Sequence, residues 1–276
     1  MRILITGIGS DIAQATARVI RDEFPNAVII GADIHNMHAG HFFCDEMLLS
    51  CRADSVNFIG WLKETIVTKK IDIYIPLSEA ELRALSVLGE LPGVVSDAII
   101  WAGNFCATKC LDKLKTFQFL ELNGVHIPWT KEPSHLSEIK FPCIFKTINE
   151  ITCPVYLDKD NVVHVLQLQR KLSGGLTGWC KTVNYEEVRE LCKKVVHLLK
   201  PECPINIQLI LTDQGPRIFE INPRISSTAL IRDKMGFQDV RWMINAKIGK
   251  PQTIDSNVEL GIIGYKLTDA EICHEK

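Results

Sequence analysis

The chain has no apolar run approaching the roughly 18–20 residues that a bilayer-spanning helix requires, so no such helix is expected. Charge of one sign is also scarce. A formal net charge of −2 argues against a general nucleic-acid or membrane-surface binder. The opening Arg2-Ile3-Leu4-Ile5-Thr6 enters a strand without the basic and long apolar segments of a secretory signal, so a cytoplasmic location is expected. Ten cysteines contain no C-x-x-C pair, and Cys106 and Cys110 stand four apart, a spacing of helix packing more than of a metal clip. Reduced, mostly buried thiols follow. His35, His38 and His41 with Cys44 have a spacing that suits a transition metal, yet Gly40 and the position just past a predicted strand read as a loop with solvated imidazoles.

What is present is the composition of a folded protein: 46% hydrophobic and 23% charged over 276 residues, long enough for two or three subdomains. Strands are predicted at Ile3–Thr6, Ala27–Ala32, Ile71–Pro76 and Ile99–Ala102. Helices follow the first of these to about Phe24 and the third from Ser78. That alternation implies parallel βαβ units. The turn Gly7-Ile8-Gly9-Ser10-Asp11 suits backbone N–H groups and a helix N-terminus aimed at an anion.

The densest signal lies in Asn206–Arg224. Two apolar-alternating runs flank Asp213-Gln214-Gly215, a hairpin turn. Centred near Gln214, that turn sets Gln208 opposite Glu220 and Asn206 opposite Asn222, with Ile207, Leu209, Leu211, Phe219 and Ile221 on the core face. Directly opposed Cβ atoms lie roughly 4.5–5.5 Å apart, so Gln208 and Glu220 are placed to share a cation. A carboxylate with amide oxygens is a hard-oxygen set for Mg²⁺ (or Mn²⁺) carried by a nucleotide phosphate. Arg224 follows Pro223 at the strand end, where a guanidinium clamps phosphate oxygens. On spacing alone, an edge hairpin with polar residues outward explains the same pattern.

The string Phe219-Glu220-Ile221-Asn222-Pro223-Arg224, after an Asn-Ile-Gln strand and before Ser226-Ser227-Thr228, resembles the metal-binding strand of the ATP-grasp superfamily, most closely the branch of the carbamoyl-phosphate synthase large subunit. The resemblance implies that Gln208, Glu220 and Asn222 hold Mg²⁺ and that Arg224 contacts the reacting phosphate. Two further segments share it. Asp112-Lys113 followed by Gly124-Val125-His126-Ile127-Pro128 resembles the helix opening that fold, and Pro142–Lys146 its lysine-ended strand. Lys113 and Lys146 thereby inherit contacts with nucleotide phosphates, and Glu150 matches the position that holds the ribose hydroxyls. Arg170 matches a basic residue near the phosphate or acyl intermediate. In relatives the first glycine loop and Ser78–Glu81 line the substrate side, which makes Gly9, Ser10, Ser78 and Glu79 substrate-site candidates beside their readings as turn and helix cap. Arg232, on a helix predicted over Ser226–Met235, is either a binder of a substrate carboxylate or an exposed cation.

After Lys146 the chain departs from its relatives: the glycine-rich loop, helix and strand expected there are missing before Glu150. A natural deletion and omission of a mobile lid both fit, the second being the expectation. The fold expected is α/β: an N-terminal Rossmann-like domain over 1–108, then an α+β ATP-grasp domain with antiparallel sheet over 109–276, itself split at 165/166. The implied activity is ATP- and Mg²⁺-dependent ligation of a small-molecule carboxylate to an amine or ammonia, in a protein that admits a homodimer and needs no nucleic acid or membrane. Two alternatives stand. One is a degenerate relative that binds nucleotide without ligating. The other is an NAD(P)-dependent oxidoreductase with Asp33 on the ribose, although none of Tyr74, Tyr156, Tyr185 or Tyr265 has the lysine four residues on that short-chain dehydrogenases use.

Overall fold

A computed structural model describes residues 1–128, 150–173, 176–250 and 252–267. Strand β1 (Arg2–Thr6) leads into α1 (Asp11–Glu23), then β2 (Val28–Asp33), β3 (Glu46–Leu49), α2 (Phe58–Thr68), β4 (Ile73–Ile75) and α3 (Glu79–Ser86). The four strands form a parallel sheet in the order β3-β2-β1-β4. Ile3-Leu4-Ile5, Ile29-Ile30 and Ile73-Tyr74-Ile75 are unbroken apolar runs because helices cover both faces of such a sheet. One expected strand is corrected: Ile99 makes only an isolated bridge to Tyr74, and the fourth strand is β3. Its half-buried Glu46-Met47-Leu48-Leu49 sits at a sheet edge, where burial is one-sided and the apolar signal is weak.

Helices α4 (Gly93–Ala98), α5 (Asn104–Cys110) and α6 (Lys113–Leu122) follow. Helix α6 begins where Asp112 adopts an extended backbone and caps it by accepting the Lys115 N–H at 3.1 Å. Residues 108 and 109 lie within α5.

The second sheet is antiparallel, built from β5 (Glu150–Leu157), β6 (Val163–Val165), β7 (Gln167–Ser173), β8 (Leu176–Val183), β9 (Ile205–Thr212), β10 (Gly215–Asn222) and β11 (Ile263–Tyr265). Its order is β10-β9-β5-β7-β8-β11, with β6 paired to β5. Residues 129–149, which include Lys146, lie outside the described residues. Helix α7 (Glu186–Leu199) packs its face of Val188, Cys192, Val195, Val196 and Leu199 on the apolar side of this sheet. Leu191 and Leu198 of the same helix are partly buried against this core.

Helices α8 (Ala229–Lys234) and α9 (Asp239–Lys247) pack on α1 and join the two sheets. Arg241 bridges Asp233 at 2.7 Å and Glu23 of α1 at 2.6 Å, Lys266 reaches Asp11 at 2.6 Å, and one apolar cluster contains residues of both sheets. The helix expected from Ser226 begins only at Ala229, because the Ser226 and Thr228 hydroxyls bond each other at 3.0 Å before it. No described helix is long and apolar enough to cross a membrane.

Candidate active site

The β9–β10 hairpin turns at Asp213-Gln214, with Thr212 opposite Gly215. A β-bulge then shifts the register between Ile218 and Glu220. Glu220 falls opposite Gln208 and Asn222 opposite Asn206, as the sequence predicts. Phe219 is corrected: it is the extra residue of the bulge, and fully buried Ile218 takes the core place opposite Leu209.

On the polar face of this sheet the side chains of neighbouring strands meet. Arg170 of β7 donates from Nε to Glu150 Oε1 at 2.7 Å and from Nη2 to Gln208 Oε1 at 2.9 Å. Thr152 donates to Asn206 Oδ1 at 2.9 Å, and the buried Asn206 Nδ2 has no partner among the described residues. At the outer edge Lys113, from the first turn of α6, places Nζ 3.3 Å from Glu220 Oε1. Lys113, Glu220 and Asn222 line one cavity of about 330 Å³ with Asp112, Glu79 and Arg83.

A larger cavity of about 1020 Å³ opens at the carboxyl ends of β1 and β2, walled by α2 and α3. Glu79 and Arg83 line both cavities, so the two are adjacent. Arg224 lines the larger one, two residues beyond Asn222, with Nη1 donating to the Ile225 carbonyl at 3.0 Å. Burial pulls its pKa below the usual guanidinium range, while Glu79, Glu220 and Asp11 pull it back up.

Ser10, Ser78 and Glu79 also line the larger cavity. Ser10 caps α1, its Oγ accepting the Ala13 N–H at 3.3 Å and donating to the Gly7 carbonyl at 2.8 Å. Gly9 donates its N–H to Asp33 Oδ2 at 2.9 Å, and a Cβ there would lie 2.9 Å from the His38 ring, so the position needs glycine. Asp33 accepts from the amides of both Gly9 and His35, which ties the carboxylate expected on an NAD(P) ribose into its own loop. His38 is corrected from a solvated imidazole: Nδ1 accepts the Gly40 N–H at 3.0 Å and caps a 3-10 turn at Ala39–Phe43.

Two residues have roles the sequence did not disclose. Glu81 is 6% exposed, accepts the Thr6 hydroxyl at 2.7 Å, and faces the larger cavity with its carboxyl pushed up to about 7 by burial. Its signal was the Ser78-x-x-Glu81 spacing of a capping box, which folds the carboxyl back toward the helix start. Arg232 is the other. Neither exposed nor in either cavity, it is 1% exposed, with Nε on both Asp239 oxygens at 2.9 and 3.0 Å and Nη1 on Ser226 Oγ and Thr228 Oγ1 at 3.0 Å each. It braces the segment that carries Arg224.

The donor set fits a hard divalent cation: the Glu220 carboxylate and Asn222 amide share a cavity, and an amide oxygen such as that of Gln208 keeps a second lone pair beside its bond from Arg170. No protein-family model and no curated protein sequence matches the chain. Its fold, a parallel sheet followed by an antiparallel sheet, is shared with several solved synthetases. N5-carboxyaminoimidazole ribonucleotide synthetase from Thermotoga maritima is 17% identical over 95% of this chain and 79% of its own, with a TM-score of 0.67. The ADP complex of N5-carboxyaminoimidazole synthetase from Staphylococcus aureus is 12% identical over 94% and 79%, at 0.71. Phosphoribosylglycinamide synthetase from Anaerococcus prevotii is 13% identical over 90% and 75%, at 0.64. At such identities the likeness is one of fold.

Proposed function

We propose that the protein is an ATP- and Mg²⁺-dependent ligase that activates a small-molecule carboxylate as an acyl phosphate and joins it to an amine or ammonia. One observation carries this reading. Glu220, Asn222 and Lys113 line a small polar cavity that abuts a large one, and Arg224 stands on the same strand end facing the large cavity. A phosphoryl donor in the first and an acid in the second would meet beside Arg224.

Glu220, Asn222 and Gln208 would hold Mg²⁺, which supplies charge neutralisation at the phosphate oxygens. Lys113 sits where it would exchange its contact with Glu220 for a phosphate oxygen. Arg224 offsets the charge that develops as the carboxylate attacks the γ-phosphate, and its part-buried site strengthens that interaction. The nitrogen nucleophile then takes the acyl group and phosphate leaves, with no side-chain nucleophile in the sequence of steps. Lys146, on the segment outside the described residues, is proposed as a second cation on the nucleotide. The motif over Phe219–Arg224 supports the carbamoyl-phosphate synthase branch.

Hypothesis and test coincide in Glu220→Ala: ADP release from ATP with an acid–amine panel should vanish while the circular-dichroism spectrum is kept. Unchanged ADP release refutes the metal role. A second reading, nucleotide binding without ligation, is favoured by the Arg170 guanidinium bonded to Gln208, one of the proposed Mg²⁺ ligands. It predicts saturable ATP binding by calorimetry and no phosphate release with any pair.

A further inference from the structure

The larger cavity is apolar beyond what phosphoryl transfer needs. Ile34, Phe58, Ile59, Ala84, Val87 and Leu88 form its walls. At its rim Val56 and Val87 are 97% and 81% exposed. Open apolar side chains round a concavity mark a binding groove.

Its charged groups are mostly spoken for. Arg52 is paired with Asp54 at 2.8 Å, and Arg83 lies 3.9 Å from Glu79 while donating to the Leu111 carbonyl. Among the described residues Arg224 alone of the lining cations has no carboxylate within 4.0 Å, and no lysine or histidine lines the cavity. Two helices begin beside it, yet α1 carries Asp11 and α3 carries Glu79 in their first turns. Those carboxylates already complement the helix dipoles and repel a phosphate there. A phosphorylated ligand would need a second cluster of cations that the wall does not supply.

We infer that the acid presented to Arg224 carries an apolar body, seated between α2 and α3, and no phosphate group. The placing of its carboxylate rests on the ligase reading; the apolar seat does not, and binding is therefore measured without nucleotide. Butanoate, hexanoate and octanoate titrated calorimetrically should tighten about fourfold per added methylene. Val87→Asp or Val56→Asp should flatten that dependence, whereas Leu122→Asp, at an exposed position of α6 outside the cavity, should keep it. Equal affinity along the series, or tighter binding of ribose 5-phosphate than of octanoate, overturns the inference. If the series tightens as expected but ATP and Mg²⁺ give no ADP with any amine, the apolar seat stands and the ligase reading falls.

Discussion

Ionising Glu81 should cost the protein a measurable part of its stability. Its carboxyl is walled in by Thr6, Tyr74 and the base of α3, and burial lifts its pKa from 4.5 to about 7. The folded chain therefore holds this proton more tightly than the unfolded chain. The resulting stabilisation is complete below pH 4.5 and is lost as pH rises through about 7. At 1.36 kcal/mol per pKa unit, the displacement amounts to about 3 kcal/mol. Glu81→Gln keeps an acceptor for the Thr6 hydroxyl and has no proton to lose. Urea unfolding of both proteins at pH 4.5 and 8.5 isolates the term, because other titrating groups cancel in the difference. The variant should gain about 3 kcal/mol on the parent between those two pH values, or about 1 M in midpoint for an m-value near 3 kcal/mol/M. A difference that does not change with pH would refute the assignment of Glu81 as a buried carboxyl protonated near neutrality. The same ionisation adds a negative charge to the wall of the larger cavity, so binding of an acid there should weaken above pH 7.

Arg232→Ala would leave the Asp239 carboxylate buried without its partner and should cost about 3–5 kcal/mol in urea unfolding. A loss below 1 kcal/mol would remove the pair as a brace for the Arg224 segment. On the proposed mechanism Arg224→Ala should lower kcat by about 100-fold with its thermal midpoint kept, since it would delete the charge that offsets the reacting oxygens. A kcat within threefold of the parent, in steady-state ADP assays, would take Arg224 out of the transfer step.

How far the sequence was legible follows from how each element is stabilised. Ile3–Thr6, Ala27–Ala32 and the segment around Ile73 announce themselves because central parallel strands are apolar on both faces. The edge strand at Glu46–Leu49 does not, since three of its residues are only half-buried, Leu49 is exposed, and Glu46 is paired with Lys69 from another element. The site residues of the hairpin were legible because they alternate with aliphatic partners. Arg232 was not: one arginine in a polar run looks the same whether it faces water or Asp239, seven residues further on. The apolar wall of the larger cavity was hidden for a different reason. Ile34, Phe58 and Val87 come from a turn and the ends of two separate helices, and only the fold gathers them.

The register at Glu220 depends on Phe219 in a way the alternating pattern conceals. A turn of Asp213-Gln214 pairing Thr212 with Gly215, continued without interruption, would set Phe219 opposite Gln208 and Glu220 opposite Ile207. A shift of one residue moves every side chain to the other face. Glu220 and Asn222 would then point into the aliphatic layer under α7, where an unpaired carboxylate costs several kcal/mol, and Phe219 would stand among the polar groups. The bulge removes that conflict by letting two residues of β10 oppose Leu209 of β9. Ile218 goes inward, Phe219 is absorbed, and the carboxylate arrives beside the Gln208 amide. The sequence reading reached the same pairing from a turn one residue longer, so a correct register came with the wrong core residue. The oxygen donors are thus held in place by a local irregularity, not by the regular alternation that first drew attention to them.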